Sequence, residues 1–259
     1  MEQGKIDPAG GQQVKFSAAL ARLGLGLGIL AALVAVLSGA GSHFGWWPFR
    51  TGFTLLAGAV CIGIVAAVVS LFAAVNAVKA RANRPFALAL LGLALGVMAA
   101  ALPGWQFYVA RTVPAIHDIT TDTENPPAFV VLAAVRAASP NGTAYGGAEV
   151  AVAQQAAYPD IKPAQFAMPP ERVFEASLAA ARDMGWEIAA AEPKDGRIEA
   201  TATTFWFGFK DDIAIRIRPE PAGSRLDIRS ASRVGKSDVG ANARRIRAFL
   251  ARVKNRLSA

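Results

Sequence analysis

The chain has 259 residues, 53% of them hydrophobic, a formal net charge of +8 and a mean hydropathy of +0.33. Hydrophobic content and mean hydropathy are both high for a soluble protein of this size. A lone cysteine excludes an intrachain disulfide framework.

Apolar residues cluster in the first 111 positions. No charged residue lies between Arg50 and Lys79, or between Arg84 and Arg111. Each gap exceeds the roughly 20 residues needed to cross a bilayer core. A shorter apolar run, Leu23 to Ala40, precedes them. Three transmembrane helices are predicted, over about 18–40, 52–78 and 86–110, forming a module of residues 1–111. Lys15 and Arg22 followed by a run ending Ser38-Gly39-Ala40 also fit a cleaved secretory signal, but the run is long for one and two spans follow directly. Cys61 reads as a small apolar packing residue. Gly24, Gly26, Gly28, Gly58 and Gly63 lie within apolar spans with no preceding strand, so close helix packing is expected rather than nucleotide binding. Pro103-Gly104 is expected to end the third helix.

Lys5, Lys15, Arg22, Lys79, Arg81 and Arg84 fall on one side of such a three-span chain, whereas the short flanks of the other carry only Arg50 and Arg111. Positive charge is retained inside, so the N-terminus is expected in the cytoplasm and the C-terminal half in the periplasm, as a multi-pass protein of the bacterial inner membrane. Trp46, Trp47, Phe49, Trp105 and Tyr108 suit the interface.

Residues 112–168 are rich in turn signals, Asn125-Pro126-Pro127, Ser139-Pro140-Asn141-Gly142 and Gly146-Gly147. They read as an irregular connecting segment with one short element near Phe129–Arg136. Residues 169–259 are regular. Pro170 opens a helix with Phe174, Leu178 and Ala181 on one face, stopped by Gly185. Strands follow at Trp186–Ala191 and Arg197–Phe207, then around the alternating Ile213, Ile215, Ile217 and Leu226, Ile228. Val239, Ala243, Ile246, Leu250, Val253 and Leu257 mark a last amphipathic helix. The expected fold class is a three-helix transmembrane region followed by a soluble α+β domain, a four-stranded antiparallel sheet covered by two helices. Arg216, Arg218, Arg225, Asp227 and Arg229 would then lie on an open sheet face.

From Ile213 to Ala259 there are twelve Lys or Arg and three Asp or Glu. Such a surplus beside a bilayer favours anionic lipid headgroups. Arg216, Arg218, Arg229, Arg233, Lys236 and Arg245 are the candidate anion-binding residues. Nucleic acid would suit the charge but not a periplasmic location. His117, Asp118, Asp211, Asp212, Asp238 and Asn242 form a further candidate polar site. The bland alternative is that Asp238 caps the last helix and Asp211 or Asp212 pairs with arginine. Neither His43 nor His117 has neighbours at metal-ligand spacing, and no catalytic motif is present, so no metal, cofactor or catalytic residue is expected.

Ile116–Asp122, Asn125–Phe129, Ala157–Ile161, Gly208–Asp212 and above all Arg229 through Asn242 into Arg244-Arg245-Ile246 carry a family likeness, and Gly45–Phe53 matches its multi-span members. In these residues the chain resembles the bacterial family catalogued as domain of unknown function 1499. The resemblance implies a membrane-associated cell-envelope protein and no particular reaction. The leading expectation is a non-enzymatic protein whose partners are membrane lipids or another envelope component. The alternatives are an envelope enzyme using Asp211, Asp212 or the His117-Asp118 pair, and a scaffold docking a partner through its spans.

Overall fold

A computed structural model describes residues 8–258; Lys5, counted above among the charges of the N-terminal side, lies outside the described residues. The chain divides into two compact units. One comprises the chain up to Phe107 together with Phe205–Gly208, the other Tyr108–Thr204 and Phe209 onward.

The first unit is built on α1 (Pro8–His43), α2 (Phe49–Lys79) and α3 (Asn83–Thr112), each long and apolar enough to cross a membrane. Their burial pattern inverts that of a soluble bundle. Along α2 the buried positions are Gly52, Ala59, Gly63, Ala66, Ser70, Ala73, Ala74 and Ala77, while Ile64, Val68, Leu71 and Phe72 are exposed. Lipid is as apolar as leucine, so helices gain most by bringing small residues together and letting large ones face outward. A Cβ added to Gly92 would fall 2.8 Å from the Leu25 amide nitrogen, and one on Gly96 would fall 2.6 Å from the Gly63 carbonyl oxygen. Gly24, Gly28 and Gly63 therefore serve close helix approach, whereas Gly26 and Gly58 face open space. Cys61 is exposed rather than packed. Pro103 lies inside α3, which continues to Thr112 instead of ending at 103–104. Terminating a helix in apolar surroundings would strand several backbone groups, a larger penalty than the one hydrogen bond a proline removes. Leu20 and Ala21 pack with Ala73, Ala74, Phe86, Leu88 and Ala89, so the N-terminal part of α1, the end of α2 and the start of α3 meet at one end of the bundle. Lys15, Arg22, Lys79, Arg81 and Arg84 belong to that end.

The second unit contains β1 (Asp118–Thr120), α4 (Ala133–Ala137), α5 (Gly147–Ala157), β2 (Ala164–Phe166), α6 (Pro170–Asp183), β3 (Glu187–Glu192), β4 (Arg197–Thr203), β5 (Lys210–Glu220), β6 (Gly223–Ser232) and α7 (Ala241–Ser258). The sheet is antiparallel, ordered β1-β6-β5-β4-β3, and β2 also pairs with β6. It has six strands, not four: two three-residue strands from the supposedly irregular connection complete the β6 edge. Such short strands carry too little alternation to be read from sequence. The 112–168 segment also supplies α4 and α5.

One face of the sheet is apolar. Ile198, Ala200, Ile213, Ile215, Ile217, Leu226 and Ile228 form a core with Val173, Phe174 and Ala181 of α6 and Ala243, Ile246, Phe249 and Val253 of α7. Phe249, outside the stripe expected for the last helix, is fully buried and stacks on Trp186 with ring centroids 5.3 Å apart. β3 and β4 are joined by a turn in which Gly196 adopts φ +60; a Cβ there would fall 2.1 Å from the Ile217 carbonyl oxygen. β4 ends at Thr203 rather than reaching Phe207, because Phe205–Gly208 belongs to the helical unit.

Candidate functional site

The second face of the sheet carries the charges, and it is not open. Residues 122–145 lie over it. Glu199, fully buried on β4, accepts the amides of Val130, Val131 and Leu132 at 2.9–3.1 Å and so fixes the turn leading into α4. Phe129 and Leu132 then pack on Ala214 and Ala231. The Phe129 ring lies under the guanidinium groups of both Arg136 and Arg229, at 4.5 and 4.8 Å. Ionic groups withdrawn from water in this way are stable only when paired and fully hydrogen-bonded.

They are paired. Asp212, with no exposed surface, accepts from Arg136 at 3.1 Å, from Arg233 at 2.8 and 2.9 Å, and from the Thr201 hydroxyl at 2.8 Å. Burial lowers the Arg136 pKa, with Asp212 opposing the shift. Arg229 grips Asp118 through two bonds of 2.7 and 3.0 Å and donates a third to the Thr143 carbonyl. Near one end, Asp227 and Asp122 collect Arg216 and Arg225, and Asp227 also accepts from Arg218. On the helix-covered face, Arg245 reaches Asp211 at 2.6 Å and the Ser230 hydroxyl at 3.0 Å, while Asn242 holds Ser230, Ser232 and the His117 carbonyl.

Five of the six basic residues singled out from sequence, Arg216, Arg218, Arg229, Arg233 and Arg245, therefore have carboxylate partners. Much of the surplus of cations after Ile213 is met by carboxylates from earlier in the chain: Asp118, Asp122, Asp160, Asp183, Asp211 and Asp212. Counted whole, the second unit has 20 Lys or Arg against 17 Asp or Glu, so it is far less basic than its last 47 residues. The face expected to be open is occupied because its alternating charges match those of the connecting segment. Asp238 caps α7, accepting the amides of Gly240 and Asn242 at 2.7 and 2.8 Å. Burial raises its pKa, and those amide bonds oppose the shift.

Lys236 differs. It is exposed and, among the described residues, forms no ion pair. It lines a cleft of about 440 Å³ with Ala115, Ile116, His117, Asp118, Asn141, Tyr145, Gly146 and Val150. Three sequence candidates, His117, Asp118 and Lys236, meet here; Asp211, Asp212, Asp238 and Asn242 are not among its lining residues. The His117 backbone is held by Ser232 and Asn242, and the 233–235 turn by Asn141, which donates to the Ser232 and Gly235 carbonyls. The cleft also meets the N-terminus of α5, an 11-residue helix whose cap residue, Gly146, offers no side chain to the first-turn amides. Those amides and the helix dipole favour an anion. His117 Nδ1 and the Tyr145 hydroxyl are buried without hydrogen-bond partners. Burial, supplemented by the Asp118 charge, pushes the Tyr145 phenol up to about 12, so it remains a donor at neutral pH. Asp118 is the one carboxylate in the lining, and Arg229 neutralises it.

Sequence reasoning missed Tyr145 and Asn141. Their only signal was an asparagine inside the turn 139–142 and a lone tyrosine between it and the turn 146–147, which read as loop. Among the described residues no three His, Cys, Asp or Glu side chains gather as a metal site would require.

A search of curated proteins finds no match. A family model does match: Protein of unknown function (DUF1499), over residues 118–253. That stretch is more than half of the chain and includes the ionic face, its covering segment, Tyr145 and Lys236. The chain is a member of the DUF1499 family.

Proposed function

We propose that this protein is a non-enzymatic binding protein of the bacterial inner membrane, anchored by three helices, with its folded half in the periplasm. Its ligand is an anionic group, phosphate or carboxylate, carried by a lipid headgroup or another envelope component. The observation that carries the reading is the cleft. An uncapped helix N-terminus, the unpaired ammonium of Lys236 and the neutral Tyr145 donor surround a space large enough for such a group. The arginines nearby are committed to aspartates, which leaves Lys236 as the cation this cleft can offer. The orientation is supported by Lys15, Arg22, Lys79, Arg81 and Arg84 gathering toward one end of the bundle.

The intact protein, extracted with native lipid and weighed by native mass spectrometry, is expected to retain an anionic species that Lys236→Glu loses. Nanodiscs of neutral phosphatidylcholine titrated with inorganic phosphate separate a free anion from a headgroup, which would be retained only from anionic bilayers. Identical retention by wild type and Lys236→Glu would refute the assignment of the cleft. A C-terminal reporter active only in the cytoplasm would refute the orientation.

A further inference from the structure

Between β4 and β5 the sequence reads Thr204-Phe205-Trp206-Phe207-Gly208-Phe209. Phe205–Gly208 forms part of the helical unit. The Trp206 indole donates to the Val36 carbonyl at 3.3 Å and lies against Gly39, where an added Cβ would fall 2.1 Å from its ring. With Leu95, Met98, Ala99, Leu102 and Pro103 of α3, Trp206 lines a hollow of about 170 Å³. Phe207 is buried against Phe53, with centroids 4.9 Å apart, and its carbonyl accepts the Ser42 hydroxyl. Val36 lies seven residues before the end of α1, about 10 Å back along the helix at 1.5 Å per residue. It is also inside the apolar run that ends at Ala40. Two neighbouring aromatics are thus held at the level of the transmembrane helices, yet Phe205 beside them is 96% exposed.

We propose that Phe205–Gly208 is a fourth membrane-embedded element, a re-entrant aromatic tip in which Phe205 contacts lipid acyl chains. Irregular backbone at such depth is tolerated where protein satisfies its polar groups. Here Ser42 meets the Phe207 carbonyl, and the indole N–H has the Val36 carbonyl. The occupant is lipid because the residues around the tip, Val36 and Leu102, are themselves 62% and 63% exposed on helices of membrane-spanning length. This inference is independent of the ligand in the cleft.

Wild-type protein is reconstituted in phosphatidylcholine vesicles containing a phospholipid with a diazirine near its acyl terminus, irradiated and digested with trypsin. Residues 198–210 emerge as one peptide, IEATATTFWFGFK, free of any transmembrane helix. An acyl adduct on Phe205 is expected. In a Cys61→Ala background, a polarity-sensitive fluorophore on Phe205→Cys should shift to the blue and resist quenching by iodide. The same label on Val130→Cys, an exposed site of the second unit, should be quenched. Adducts confined to helix peptides, iodide quenching at 205 equal to that at 130, or a 205–205 disulfide between two copies would each overturn the proposal.

Discussion

The two faces of one sheet are held by different physics. The face under α6 and α7 is packed with isoleucine, leucine, valine and phenylalanine, each burial stabilising by about 1.5–3 kcal/mol whatever the precise partner. The face under residues 122–145 is held by Asp212, Asp118, Asp227 and Glu199 with their arginines and amides. A close-packed apolar face tolerates small changes in shape. A buried ionic face is near neutral when every group is satisfied and severely destabilised when one partner is removed.

The sharpest way to break that contrast is Asp212→Ala. It strands the buried Arg136 and frees Arg233, and should cost about 3–5 kcal/mol, measured as a lowered denaturation midpoint of the detergent-solubilised protein. Replacing Asp212 and Arg136 together by apolar residues of similar volume should recover much of the loss, and recovery no better than the single change would contradict the ionic reading. On the apolar face, Ile228→Val should cost about 0.5–1.5 kcal/mol in the same assay. Arg218→Ala removes a guanidinium that is 41% exposed from a cluster still holding Arg216 and Arg225, so a change within about 1 kcal/mol is expected. The smallest effect is one of sign. Because burial raises the Asp238 pKa, the native state binds this proton more readily than the unfolded chain, and its contribution falls as pH rises from the ordinary carboxylate range through the raised value. The stability of wild type minus that of Asp238→Asn should therefore decline as pH rises above the ordinary carboxylate range. A difference that rose with pH would contradict the burial assigned to this carboxyl.

Much of the architecture was legible because periodicity reports burial on one side of an element. Ile213, Ile215 and Ile217 alternate, and Ala243, Ile246, Leu250 and Val253 step by three and four, so β5 and α7 were evident. The short strands β1 and β2 left no comparable trace. Asp238 was recognisable as a cap from its place before α7, since capping is local. The destination of Arg229 was not, because its partner Asp118 is 111 positions away. Lys236 looked like one cation among many, and its lack of a partner emerged only when its neighbours were seen to be paired. Phe207 was read as the end of a strand, since nothing in a run of aromatics says which compact unit will take them.

Sequence by itself determined that three helices can span a bilayer and that an antiparallel sheet with amphipathic helices follows, because hydrophobicity and its period are properties of consecutive residues. Tertiary structure alone decided which charges remain available. Charges add along a chain without regard to position, but they cancel only across distances of a few ångströms, and those distances are set by the fold.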